Sequence, residues 1–220
     1  RNARLEFNRA LGSYVDLEVF YKYLWQEYEK YAQYRRNTAY LFIAEAMDEM
    51  LVVAPERHGL FSLLAGAITL SGANIITAKI TTLKNGMAAD MFQLQTMGGE
   101  VFDRKDKLAG IRANMEQALS GALDFAGALA KRQRESRRKA SGVDAVSGQV
   151  FIDNEASDLH TVIEVTGRDR IGFLYHITKA ISDFGLSIAT AHISTYGVQV
   201  ADVFYVNDGR GLKITDGKTL

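Results

Sequence analysis

The feature that most constrains this chain is that it repeats itself. Residues 56–96 read ERHGLFSLLAGAITLSGANIITAKITTLKNGMAADMFQLQT, and residues 169–208 read DRIGFLYHITKAISDFGLSIATAHISTYGVQVADVFYVND. With one residue dropped the two align, pairing Gly59 with Gly172, Ala67 with Ala180, Gly72 with Gly185, Ile75 with Ile188, Ile80 with Ile193, Asp90 with Asp202 and Phe92 with Phe204. A repeat of this length builds one supersecondary unit twice. The gap falls where Leu-Lys-Asn-Gly in the first copy becomes Tyr-Gly-Val in the second, and turns are where length changes are tolerated.

Each copy divides into the same elements. The short apolar runs 50–54 and 161–166 read as buried strands. After Gly59 the residues Leu60, Leu63, Leu64, Ala67, Ile68 and Leu70 fall at helical spacing, as do Phe173, Leu174, Ile177, Ala180, Ile181 and Phe184 after Gly172. Gly72 and Gly185 suit the left-handed residue that closes a helix. Residues 74–82 and 187–195 then read as strands, with returning strands at 87–95 and 198–206, and Asn85-Gly86 is a hairpin signal.

The first copy continues into 103–138, where Leu108, Ile111, Met115, Ala118 and Leu119 mark a second helix, and 150–153 offers a fourth strand. That is the α+β ferredoxin-like order βαββαβ, an antiparallel sheet with both helices on one face. The expected organisation is an aromatic-rich helical segment at 1–47, a first domain at 48–126, a basic linker at 127–148 and a second domain at 149–220. Strand 149–153 is counted with the second domain, with completion of the first sheet as the alternative. The second domain is expected to be C-terminally incomplete, with 212–220 opening its second helix, and the chain reads as a piece of something longer.

Composition narrows the partners. The 26 basic and 26 acidic residues cancel, which removes the long-range field that steers a protein to nucleic acid. The run KRQRESRRKAS at 131–141 holds six basic residues against one acidic and reads as a solvated helix end and linker. No apolar run approaches the roughly 20 residues that span a bilayer, and a cytoplasmic location is the expectation. There is no cysteine, and His58, His160, His176 and His192 never fall at metal-ligand spacing, so no metal is expected.

The informative motif is acid-x-x-Gly at the start of each helix, Glu56 to Gly59 and Asp169 to Gly172. Glycine lets the backbone approach a ligand, and the first N–H groups of the helix offer donors to a carboxylate. Glu56 or Asp169 would face its ammonium group. The simpler reading is that each glycine only permits a tight strand-to-helix turn. Catalytic groups are poorly arranged: the counterpart of His192 is Lys79, Ser62 and Tyr175 lack a base nearby in sequence, and both phosphate-loop patterns are absent. Asp90 and Asp202 recur, and an acid beside a hairpin is commonly structural.

Strand, acid-x-x-Gly, helix, Gly-Ala-Asn-Ile and second strand resemble an ACT domain, a regulatory module that binds amino acids. The stretches ERHGLFSLLAGAITLSGANIITAKITTLKNGMAADMF, VFIDNEASDLHTVIEVTGRDRIGFLY and IATAHISTYGVQVADVFYV, followed by GLKIT, resemble the C-terminal tandem ACT region of the bifunctional uridylyltransferase/uridylyl-removing enzymes over roughly 48–220. The resemblance implies a glutamine-sensing regulatory region in nitrogen metabolism, with the PII protein as partner of the full-length enzyme. Mg or Mn is implied only for catalytic domains outside this chain. It also implies two effector sites: Glu56, His58, Gly59 and Leu60 with Asn74, Ile75 and Ile76, and Asp169, Ile171, Gly172 and Phe173 with Leu186, Ser187 and Ile188. His58 and Ile171 stand where the family usually has proline, and Glu56 where it has aspartate. These departures loosen the binding turns without abolishing them, and the first copy is the less secure of the two expected sites. Two alternatives remain: a ligand-independent dimerisation module, since ACT-like sheets pair through their edges, and an RNA-binding ferredoxin-like domain presenting Phe92, Phe204 and Tyr205.

Overall fold

Alternating apolar residues around the turn glycines become two antiparallel sheets in the computed structural model, which describes residues 40–44, 49–82, 86–96, 99–100, 105–139 and 148–215. The strands are β1 (Tyr40–Ala44), β2 (Glu49–Pro55), β3 (Ala73–Lys79), β4 (Met87–Thr96), β5 (Gln149–Asp153), β6 (Thr161–Arg168), β7 (Ser187–His192), β8 (Thr195–Tyr196) and β9 (Gln199–Asn207). The helices are α1 (Leu60–Leu70), α2 (Lys105–Ser120), α3 (Phe125–Lys139) and α4 (Phe173–Asp183). Sheet order is β1-β2-β4-β3 in the first copy and β5-β6-β9-β7 in the second, with β8 also pairing β9. Both copies are α+β and ferredoxin-like, as the pattern predicts.

The edge strands differ from expectation. Strand 149–153 does not complete the first sheet: it pairs with β6, from Gln149 opposite Thr166 to Asp153 opposite Val162. The corresponding place in the first sheet is taken by β1, which pairs with β2 from Tyr40 opposite Val53 to Ala44 opposite Glu49. Residues 40–44, expected in the helical segment, are therefore a strand. Each copy thus takes its outer strand from the chain ahead of it, so the described order is ββαββ. A segment that is short and flanked by aromatic and charged residues carries no period long enough to tell strand from helix. The rest of 1–47 lies outside the described residues, as do Asn85, the start of the predicted helix at Asp103 and residues 216–220. The described part of the last segment, 211–215, is irregular and not helical.

The predicted second helix is two helices. Gly121, at φ 76°, ends α2 in the left-handed conformation, and the Asp124 carboxylate then accepts from the Gly127 N–H at 3.1 Å to start α3. The basic run expected as linker is helical through Lys139, and α3 sits between the copies. Phe125 lies 5.2 Å, centroid to centroid, from Tyr175 of the second copy. Leu129 is fully buried and touches the position of Gly172. Arg132 Nη1 donates to the Leu70 carbonyl at the C-terminus of α1, and Gln133 Nε2 donates to Ile171 O at 2.8 Å. A cation at a helix C-terminus meets the negative end of its dipole.

The core runs through both copies. α1 packs on α2, α3 and α4, and β3 lies beside β7 and β8. Phe92 and Phe204 are fully buried, Phe92 stacking on Phe61 at 5.8 Å. Each such side chain contributes about 1.5–3 kcal/mol by leaving water. α4 turns Tyr175, Thr178 and Ile181 inward, while Phe184, expected on its apolar face, is 78% exposed. No described helix is long and apolar enough to cross a membrane.

Candidate functional site

The two turn glycines are required by the backbone. Gly59 and Gly172 cap α1 and α4 at φ 75° and 78°, both left-handed, where any other residue is strained. Around Gly59 the turn is fully wired: Leu60 N donates to Arg57 O, Ser62 Oγ donates to Gly59 O, and Glu56 Oε2 accepts from Thr82 Oγ1 at 3.1 Å. The glycine is a close approach as well as a turn, because a Cβ there would lie 3.0 Å from Ser182 Oγ of the second copy.

Each turn faces the other copy. His58 Nε2 is 2.7 Å from the Ser182 carbonyl oxygen, and since a carbonyl only accepts, the ring proton sits on Nε2. Reciprocally, Asn74 Nδ2 donates to Asp169 Oδ2 at 3.3 Å. Two cavities follow from this exchange, related by the repeat. The larger, about 530 Å³, is walled by Glu56, Arg57, His58, Gly59, Leu60, Phe61 and Ser62 of the first copy and by Ser182, Leu186, Ser187, Ile188 and Ala189 of the second. The smaller, about 30 Å³, is walled by Asp169, Arg170, Ile171, Gly172 and Phe173 of the second copy and by Thr69, Ala73, Asn74 and Ile75 of the first.

The sequence reading paired each turn with the strand of its own copy; the structure pairs it with the strand of the other. Glu56, His58, Gly59 and Leu60 meet Leu186, Ser187 and Ile188, while Asp169, Ile171, Gly172 and Phe173 meet Asn74 and Ile75. The reason is that β3 and β7 are neighbouring edges, so the start of each lies under the partner copy's turn. Ile76 lines neither cavity; it falls where β3 shifts register against β4. The relative openness also differs from expectation. The first turn borders a volume within the roughly 300–1,000 Å³ of small-molecule sites, and the second a space for about one water.

Three wall residues were missed as site candidates: Asp90, Asp202 and Ser182. Asp90 and Asp202 are each 1% exposed, one in each cavity. Asp90 Oδ1 accepts from Thr81 N at 3.4 Å, and Asp202 Oδ1 from Ser194 N at 3.2 Å. Burial pushes the Asp90 carboxyl up to about 8, helped by Glu56, and the Asp202 carboxyl to about 7, helped by Asp169. Asp169 is itself raised by burial, against the bond from Asn74. Their recurrence in the repeat was the available signal. Ser182, whose counterpart in the smaller cavity is Thr69, is the third.

Of the three aromatics that an RNA platform would present, Phe92 and Phe204 are inside the core and Tyr205 alone is partly exposed.

A family model described as the ACR family N-terminal ACT domain matches residues 156–220, the second copy. The bifunctional uridylyltransferase/uridylyl-removing enzyme of Gluconobacter oxydans (strain 621H) is 40% identical over 206 residues, 94% of this chain and 22% of that protein. The second copy belongs to the ACT-domain family. Enzymes of the same name from Azospirillum brasilense and Rhodospirillum rubrum are 47% and 43% identical, each over 77% of the ACT chain and 18% of their own length. The tandem ACT chain thus spans about a fifth of the length of the curated relatives it matches. With the cavities shared between its two ACT copies, the cavity walls and the copy-to-copy packing involve the same residues.

Proposed function

We propose that this chain is the effector-sensing region of a PII uridylyltransferase/uridylyl-removing enzyme and that its effector is glutamine, bound in the larger cavity between the ACT copies. The observation that carries the reading is that this cavity takes one wall from each copy. A ligand there changes the free energy of their packing, which is what a regulatory module needs in order to bias catalytic domains elsewhere in a longer protein. The names of the relatives support the enzyme, and the size of the cavity supports a small effector. The N–H groups of the first turn of α1 would receive its carboxylate. The partner would be the PII protein, engaged through the rest of the enzyme.

Calorimetry of the full chain with glutamine tests this. The expected result is saturable heat and a rise in unfolding temperature; no heat and no shift at millimolar glutamine overturns it. Ligand-independent pairing is favoured by one observation, the contacts already made between the copies by His58 and Ser182 and by Phe125 and Tyr175. Under that reading the unfolding temperature is the same with and without glutamine.

A further inference from the structure

The larger cavity contains a carboxyl group that neither the turn nor the fold around it neutralises. Asp90 projects from the core face of β4, 1% exposed, into the cavity wall. Its Oδ1 accepts one long bond, 3.4 Å from Thr81 N, and among the described residues no hydrogen bond reaches Oδ2. Among the described residues, the charged and titratable groups around it offer no compensation. Glu56, from the turn, repels it. Arg57 is turned away, with Nη1 donating to Leu119 O at 2.9 Å, and His58 is engaged by Ser182. The polar side chains that the second copy adds to the same cavity, Thr178, Ser182, Ser187 and Asn207, are all uncharged. A buried acid without a cation is held protonated, and the same burial makes it a strong partner for any cation brought to it, because attraction is little screened there.

We infer that the larger cavity selects a ligand carrying a protonated amine, with Asp90 as its counter-ion and Glu56 as a second acceptor. This rests on the reading that the cavity takes an amino acid and names the group by which the amino acid is distinguished. The proton balance follows. Near neutral pH the free Asp90 carboxyl holds its proton; when the ammonium group binds, the carboxyl ionises and the proton passes to the buffer, leaving a carboxylate–ammonium pair. Asp202 provides the internal comparison. It is the equivalent buried acid, but its cavity has only about 30 Å³, and the neighbouring Asp169 is already bonded to Asn74.

The test is calorimetry of the full chain with L-glutamine and with glutaramic acid, which lacks only the α-amine, in buffers of different ionisation enthalpy. Wild-type chain is expected to release close to one proton per glutamine at neutral pH, less as pH rises above about 8, and none with glutaramic acid. Asp90→Asn is expected to weaken glutamine about tenfold or more and abolish proton release, with little change for glutaramic acid. Asp202→Asn serves as the matched buried-acid control and is expected to bind as wild type. Glutamine binding without proton release, or with Asp90→Asn unaffected, overturns the inference and leaves the amino-acid reading standing. Failure of wild-type chain to bind glutamine at all overturns both. The wild-type comparison of the two ligands needs no variant and so decides the point even if Asp90→Asn does not fold.

Discussion

His58 of the first ACT copy and Ser182 of the second are joined across the copies, Nε2 lying 2.7 Å from the carbonyl oxygen and 2.8 Å from the hydroxyl oxygen. The contact lies at the wall of the larger cavity and ties the first turn to the end of α4. His58→Ala removes it entirely, whereas Ser182→Ala keeps the carbonyl acceptor. The first is expected to cost about 1 kcal/mol of stability and the second less, read from urea denaturation midpoints at unchanged slope.

Gly59→Ala carries two costs that can be separated. The left-handed backbone alone costs about 1 kcal/mol or more, and the new methyl also meets Ser182 Oγ at 3.0 Å. In Gly172→Ala the nearest atoms are Leu129 methyls at 3.4 and 3.5 Å, an ordinary contact. Gly59→Ala is therefore expected to be the more destabilising. Adding Ser182→Ala should recover part of the loss for Gly59→Ala and none for Gly172→Ala, a coupling that a double-mutant cycle measures. Equal loss in both, with no recovery, would show that the methyl contact contributes nothing.

The fold within each copy was legible because its signals are local: glycine after strand, apolar residues at helical spacing, glycine at the helix end. The site was legible only in halves. Both turns and both strand starts could be named, but which half joins which depends on β3 lying beside β7, a relation between residues more than a hundred apart that no window of sequence contains. The same limit explains α3. Read alone, KRQRESRRK is a charged surface; in the structure Arg132 and Gln133 are the contacts through which it holds the end of α1 and the turn at Ile171. Asp90 and Asp202 were visible as a recurrence, and their burial was not.

The buried acids set a direction for pH dependence. Their folded-state values, about 8 for Asp90 and about 7 for Asp202, lie above the ordinary 3.8, so the folded chain holds protons that the unfolded chain releases. The stability that protonation supplies is fully present below pH 3.8 and is lost as pH rises towards 7 for Asp202 and 8 for Asp90. The limiting slope is about 1.4 kcal/mol per pH unit for each group. Asparagine at either position carries no such proton. Asp90→Asn and Asp202→Asn are expected to gain stability relative to wild type between pH 5 and pH 8, read from denaturation at each pH. A wild-type profile that stays parallel to both variants would mean that the acids are ionised in the folded chain.

Gly66 reverses an ordinary rule. In the interior of a helix, alanine is favoured over glycine by roughly 1 kcal/mol, so Gly66→Ala in α1 would be expected to stabilise. The Cβ, however, would lie 2.6 Å from the Phe125 ring and 2.9 Å from the Tyr175 ring, far inside contact distance. Both rings are buried, Phe125 at 6% and Tyr175 at 5% exposure, and they pack on each other, so neither has room to withdraw without separating α3 or α4 from α1. Gly66→Ala is therefore expected to destabilise the chain by about 1–3 kcal/mol, the range for overpacking a filled core. In a Phe125→Ala background, itself about 3 kcal/mol less stable, the same substitution has most of its clash removed and should cost less, or gain. The comparison, made by denaturant unfolding of the four chains, also reports on assembly. If Gly66→Ala is stabilising in the wild-type background, α3 and α4 do not close on α1 as described, and the cavities that depend on that packing lose their geometry with it.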